Sequence, residues 1–460
     1  MQRPAPVDLA HHPHLSGLFA PQREEVDVRE LEVHGELPAD LHGSYLRNGP
    51  NPRFDPIGHY VYPIDGDGMV HRVQIAGGTA RYTNRFVRTP QVVAEEKAGR
   101  ALWAGITDPY FPPEEEVGPD LANTMRELPD INIVRHGGRL MAMAEAAPPY
   151  TLVPTSRRSD ARPSTEPAGR ADGAPEDRSA HRRDGRLLLH ARPAVSDLVG
   201  GRTGRDGDAS AHPDRRHGPA VDDPRHGTDA TYVVLVLAPL VFDLSQIFSG
   251  GSPLDWKPDL GTRVALVPRD GGAVRWFSTD TFWMWHTANA FDLPDGDVAL
   301  DYVEWAYPGA LTEKAGPNRS VLRRAVIGRD GVTRTTLHER DIEFPRIDDR
   351  SMTLGHSVVA TIGRSRSQKL PAGAADSLFW FDVASGTEAV WAHETLSPGE
   401  PAYLSGDSGG YWGAIATDRA DMTSWFLVFP ETDPASGPIA RVRLPIRVPA
   451  GLHGAWLPPD

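Results

Sequence analysis

Cysteine is absent from the 460 residues. That excludes disulfides, thiolate metal sites and a cysteine nucleophile, so any metal must rest on His, Asp or Glu. No apolar run reaches the length of about eighteen residues that marks a membrane-spanning helix. The stretch MQRPAPVDLAHHPHL has no apolar core of the secretory kind, and a soluble cytoplasmic protein is the expectation. Cationic residues are outnumbered, 48 Lys and Arg against 62 Asp and Glu, for a net charge of -14. A nucleic-acid partner is excluded on that ground, because phosphate binding needs clustered positive charge. Long helical periodicity is also missing.

What is present is turn chemistry. The chain has 45 Gly and 43 Pro, and they fall between short apolar runs. Five hairpins can be read directly, at Gly77-Gly78, Asp270-Gly271-Gly272, Asp295-Gly296, Asp330-Gly331 and Ser385-Gly386. Each pairs two alternating runs around a glycine that can supply a positive φ. Such meanders fit a sandwich, a barrel or a propeller. At this length a single all-β propeller domain spanning 1–460 fits best.

One window breaks the pattern. Thr155 to Asp229 contains no Phe, Tyr, Trp, Ile, Met, Lys, Asn or Gln, yet holds five histidines: His181, His190, His212, His217 and His226. A charged disordered insertion is the ordinary reading of such composition. Arg, Gly, Ala, Pro, Asp and His without Lys or Ile is also what a GC-rich gene gives when read out of frame.

The block Gly43–Val73 contains Tyr45-Leu46-Arg47-Asn48-Gly49-Pro50-Asn51-Pro52 and Asp65-Gly66-Asp67-Gly68-Met69-Val70-His71. As residues these are tight turns, and their glycines, prolines and His71 are read as structural. Further on come AMAEAAPPYTL, VVLVLAPLVFDLSQI, FWMWHTANAFD, IEFPRIDDR, SPGEPAYL and RVRLPIRVPAGLHGAWLP. In this order and spacing, from Glu32 to Pro459, the chain resembles the carotenoid cleavage oxygenases. That family also includes lignostilbene dioxygenases and the retinoid isomerase of the retinal pigment epithelium. The resemblance implies a seven-bladed β-propeller, with loops and short helices capping the active-site face.

It also implies Fe(II) held by four histidines. His286, in Trp285-His286-Thr287-Ala288-Asn289, matches the third ligand, and His453, in Leu452-His453-Gly454, matches the fourth. Neutral imidazoles suit Fe(II), and open coordination positions let O2 bind. The first two ligands should fall in the aberrant window. His181, in Ser179-Ala180-His181-Arg182, is the candidate for the first. The second belongs eight residues before Tyr232, where Pro224 stands, and His226 is the nearest candidate. Three glutamates of the family orient such histidines, and Glu145, Glu343 and Glu400 match them. The resemblance implies that Glu145 orients His286, Glu400 orients His453 and Glu343 orients the second ligand. Candidate aromatics for an apolar substrate tunnel are Tyr60, Phe111, Trp283, Trp285 and Tyr302.

The implied activity is dioxygenation of a conjugated C=C bond in a carotenoid, apocarotenoid or stilbene, giving two carbonyl products. The partners are O2 and an oily polyene or stilbene, with brief contact at a membrane surface. The alternative is an impaired copy or non-catalytic propeller with an incomplete iron site. A Ca2+-dependent propeller hydrolase would use Asp and Asn where the motifs here place His.

The genetic code sharpens that alternative. Val221 to Asp229 requires GTN GAY GAY CCN CGN CAY GGN ACN GAY, if Arg is CGN. One base forward, the triplets can read Ser-Thr-Ile-His-Asp-Met-Ala-Leu, with the histidine across Pro224 and Arg225. The same shift lets Asp197-Leu198-Val199-Gly200 read Thr-Trp-Trp-Ala. The expectation is that the last third of the window, at least, is translated out of frame.

Overall fold

The computed structural model describes residues 3–106, 109–136, 138–144, 147–152, 231–242, 254–309, 318–365, 370–371 and 373–459. Their regular structure is almost wholly β. Among the described residues Pro90–Ala98 is the longest helix; Thr89 caps it by accepting the Val92 N–H, and Gly99 ends it in the left-handed region. All five hairpins form where the turn residues place them. Gly77, Gly78, Gly271, Gly296, Gly331 and Gly386 all have positive φ, the conformation that glycine adopts without a Cβ penalty.

The strands form antiparallel meanders. Trp283–Asp292, Val298–Trp305, Val321–Gly328 and Gly331–His338 make one four-stranded sheet, and Ile342–Arg346, Val358–Gly363, Ser377–Asp382 and Glu388–Ala392 another. Three-stranded sheets join Asn132–His136, Arg139–Ala144 and Ala147–Leu152, and separately Tyr232–Leu237, Thr262–Pro268 and Arg275–Thr279. A six-stranded sheet is built around Gly410–Asp418 and Ser424–Pro430. In the five-stranded sheet the last strand, Gly454–Leu457, pairs with the early strand Gly43–Arg47, in the register Gly454 to Arg47. The resemblance implies seven blades. Among the described residues six sheets have three or more strands, and Leu240–Phe242 with Leu254–Trp256 forms only a two-stranded pair. Both three-stranded sheets flank the interval 153–230, which lies outside the described residues.

The chain divides into two compact units. The first holds the described residues up to 152 with Ser365–Leu378 and Ala389–Asp460; the second holds those from 231 to 364 with Phe379–Glu388. The first has a core of Leu41, Tyr45, Val73, Tyr82, Leu404, Phe426 and Val428. The second has one of Val264, Leu266, Phe282, Leu300, Tyr302 and Ile327. In both, alternate strand residues point inward, as the period-2 pattern requires.

The Gly43–Val73 motifs are rivets of the first unit. Asn51 accepts the Gln22 N–H at 2.7 Å and donates to the Gln22 carbonyl at 2.6 Å. Asp65 accepts the Val61 and Ile106 amides at 2.9 and 2.8 Å. Asp67 accepts the Arg53 amide at 2.8 Å and pairs with Arg126, which also lies 3.3 Å from Glu95. A Cβ on Gly68 would stand 2.5 Å from the Pro129 carbonyl oxygen, so that position requires glycine. His71 is buried with Nδ1 2.6 Å from the Tyr82 hydroxyl, and burial holds its pKa well below the usual value. It is a neutral core residue.

Candidate functional site

His286 sits in the strand Trp283–Asp292, where pairing with Val298–Trp305 slips twice, between Met284 and Thr287 and between Thr287 and Asn289. Such irregularities re-aim a side chain that strict alternation would fix. The His286 Nδ1 lies 2.5 Å from Glu343 Oε2. Glu343 also accepts the Trp305 indole N–H at 2.8 Å and the Phe344 backbone N–H at 2.6 Å. Phe344 has a φ of 53°, and its ring stacks on His286 at 4.6 Å. A second register slip, between Glu343 and Arg346, accompanies that conformation. The imidazole is thus held by a carboxylate at one edge and an aromatic plane on one face. Glu343, expected beside the second ligand, is found on His286. Glu145, expected in that role, lies outside the described residues, as do His181 and His226.

Asn289, three residues after His286, donates to the carbonyls of Ser351 and Leu354 at 3.2 and 2.8 Å and accepts the Thr353 N–H at 3.0 Å. It fastens the turn after Ile342–Arg346, in which Thr353 takes a φ of 67°.

His453 belongs to the other unit. Its Nδ1 lies 2.9 Å from Glu400 Oε1, and Glu400 Oε2 accepts the Gly454 N–H at 2.7 Å. Glu400 is 2 % exposed. This pairing is the one the resemblance implied.

The two histidines share one chemistry. A carboxylate at Nδ1 places the ring proton there and the lone pair on Nε2, the nitrogen suited to a metal. Both therefore fit a histidine-bound cation. Among the described residues no three His, Asp or Glu side chains converge as a metal cluster.

The candidate tunnel aromatics divide. Tyr302 is fully buried in a hydrophobic core, with its hydroxyl donating to Glu304 at 2.6 Å. Trp283 is buried beside Ala238 and Leu240, and Trp285 packs edge-on against it at 5.0 Å. Tyr60 is buried, meets the His12 ring edge-on at 5.6 Å and lines a small cavity with Asp65, Glu95 and Arg126. Phe111 is half-buried. Trp305 was missed in the sequence, where it simply ends an apolar run. Trp305→Phe keeps an aromatic ring, though a smaller one, and removes the donor to Glu343. It should cost about 1.5–3 kcal/mol, the range for a hydrogen bond to a charged group, read as a lower denaturant midpoint. An unchanged midpoint would remove Trp305 from this network.

The family model described as retinal pigment epithelial membrane protein matches residues 19–184 and 228–458. The chain belongs to that family. It is 26% identical to an isoeugenol monooxygenase of Pseudomonas nitroreducens, across 97% of this chain and 98% of that protein. It is 29% identical to a carotenoid cleavage oxygenase of Mycobacterium tuberculosis, with 98% of each covered. The crystal structure of a Pseudomonas brassicacearum lignostilbene dioxygenase superposes with a TM-score of 0.78 at 27% identity, covering 98% of this chain and 100% of that one. The protein is accordingly an enzyme of the oxygenase class on an all-β propeller. The family match leaves a gap at 185–227, inside the compositionally aberrant window. His181 falls within the matched residues and His226 within the gap.

Proposed function

We propose that the protein is a non-haem Fe(II) dioxygenase that splits a conjugated C=C bond of a stilbene, carotenoid or apocarotenoid into two carbonyl products. The observation that carries this reading is the pair of histidine–carboxylate couples, His286 with Glu343 and His453 with Glu400. The relatives, named for isoeugenol, resveratrol and carotenoids, support a substrate with an alkene in conjugation. His286, His453 and His181 are the proposed ligands of this chain, and seven blades the proposed count. Bound iron supplies the activation of O2. The residues do the rest: Glu343 and Glu400 hold the Nδ1 protons, Phe344 fixes the plane of His286, and Trp305 holds Glu343.

The unmatched interval 185–227 favours a second reading, an impaired copy that lacks its second ligand. One experiment separates the two. The purified chain is reconstituted anaerobically with Fe(II), then given isotopically labelled O2 with a 4-hydroxystilbene or an apocarotenal. Two labelled carbonyl products support the dioxygenase. Weak iron binding without cleavage supports the impaired copy. A hydroxylated but uncleaved product would overturn the proposed reaction.

A further inference from the structure

The motif residue Arg47 has no account as turn chemistry. It ends the strand Gly43–Arg47 and is 3 % exposed. Its Nη2 donates to the Pro449 carbonyl, while its Nε has no hydrogen-bond partner among the described residues. A guanidinium so placed is costly to bury, so its position calls for a reason. The backbone around it supplies one. A Cβ on Gly451 would lie 2.9 Å from Arg47 Cζ, and a Cβ on Gly399 would lie 3.3 Å from Arg47 Nη1. Arg47 therefore reaches the backbone on both sides of the His453–Glu400 couple: Gly399 precedes Glu400, and Gly451 stands two residues before His453.

The next motif residues finish the attachment. Asn48 donates its N–H to the His453 carbonyl at 3.0 Å and accepts the Leu452 N–H at 3.0 Å. A Cβ on Gly49 would stand 2.7 Å from Gly451 Cα, so the two backbones touch. The Asn48 side chain donates to the Pro129 carbonyl at 2.8 Å, and the His453 N–H donates to the Ile131 carbonyl at 3.1 Å.

We propose that Arg47 is a positioning residue for His453: it latches the Pro449–Leu452 turn against the segment bearing Glu400, and so sets the ring on its carboxylate. The assignment of His453 as a metal ligand rests on the function proposed above; the latch does not. Loss of Arg47 leaves the Ala450 N–H on the Leu18 carbonyl, the two Asn48 bonds and the Ile131 bond, but no side chain joining the turn to the segment bearing Glu400 through a guanidinium. The ring then samples positions in which Nδ1 no longer faces Glu400.

The test uses the full chain labelled with 15N-histidine, with His453 assigned by the signal lost in His453→Gln. The wild-type ring should show the Nδ1-protonated tautomer. In Arg47→Met the signal should move to a tautomeric average, and amides of 450–454 should exchange about tenfold faster or more, with Gly410–Asp418 and Ser424–Pro430 unchanged. Arg47→Lys should lie between the two. Gly451→Ala is an independent arm: it displaces the guanidinium without removing its charge, and should reproduce the Arg47→Met changes. Wild-type tautomer and exchange in either Arg47→Met or Gly451→Ala would overturn the latch, as would faster exchange spread evenly over the chain. Zn(II) added to the wild type tests the other premise. A shift of the His453 Nε2 resonance supports the ligand role, and no shift defeats that role while leaving the latch to stand on the exchange data.

Discussion

Moving the reading frame forward by one base across residues 185–227, and restoring it at the end, is expected to raise iron binding from a small fraction to about one equivalent per chain. Cleavage should rise by more than about 100-fold, since even an outer partner of a metal ligand commonly affects activity on that scale. Two independent lines meet on the same interval. The family match stops at 184 and resumes at 228. The codons of Val221–Asp229, read one base forward, can restore a histidine eight positions before Tyr232. As written, the interval has no aromatic residue and no isoleucine, and so lacks the side chains that half-buried strands need. The measurement is iron per chain after anaerobic reconstitution, for the written gene and the shifted gene side by side, with cleavage of a stilbene as the second readout. The frame reading is lost if the written chain already holds a full equivalent, or if the shifted chain binds no more than the written one.

The parts of this protein that were legible in its sequence are those fixed by local chemistry. Asp295-Gly296 and Asp330-Gly331 announce hairpins because the glycine conformation is needed in the turn itself, whatever the rest of the fold does. His286 and His453 could be found because their neighbours travel with them. The partner of a histidine is a different kind of fact. Glu343 is 57 residues from His286, and nothing in the local pattern of Ile342-Glu343-Phe344 says which ring it meets. Trp283 and Tyr302 show the same limit from the other side. An inward position on a strand can face a core or a site, and alternation is identical for both. Arg47 was hidden by its surroundings, since a run of glycines and prolines reads as a turn. Its use depends on Gly399 and Gly451, far along the chain and able to come close because they carry no side chain.

Glu400→Ala should be the most damaging single substitution among the described residues around either histidine. Its side chain is fully buried and accepts two bonds, from His453 Nδ1 at 2.9 Å and the Gly454 N–H at 2.7 Å. Removing an acceptor from buried donors costs about 1–3 kcal/mol for each, so about 2–6 kcal/mol is expected before any relaxation. Gly454 also opens the strand that pairs with Gly43–Arg47, so the loss falls on the sheet that joins the two ends of the chain. Glu343→Ala should cost less. Glu343 is 17% exposed at its side chain, and water can replace part of what it accepts. Glu400→Gln is the informative control. It keeps one carbonyl acceptor but turns an N–H2 toward the second donor, so its cost should fall between wild type and alanine. Urea titrations of the three variants give the order directly, with equal m-values required for the comparison. A Glu400→Ala midpoint no lower than that of Glu343→Ala would show that burial does not set the strength of these couples, and the account of His453 would have to rest on its turn alone.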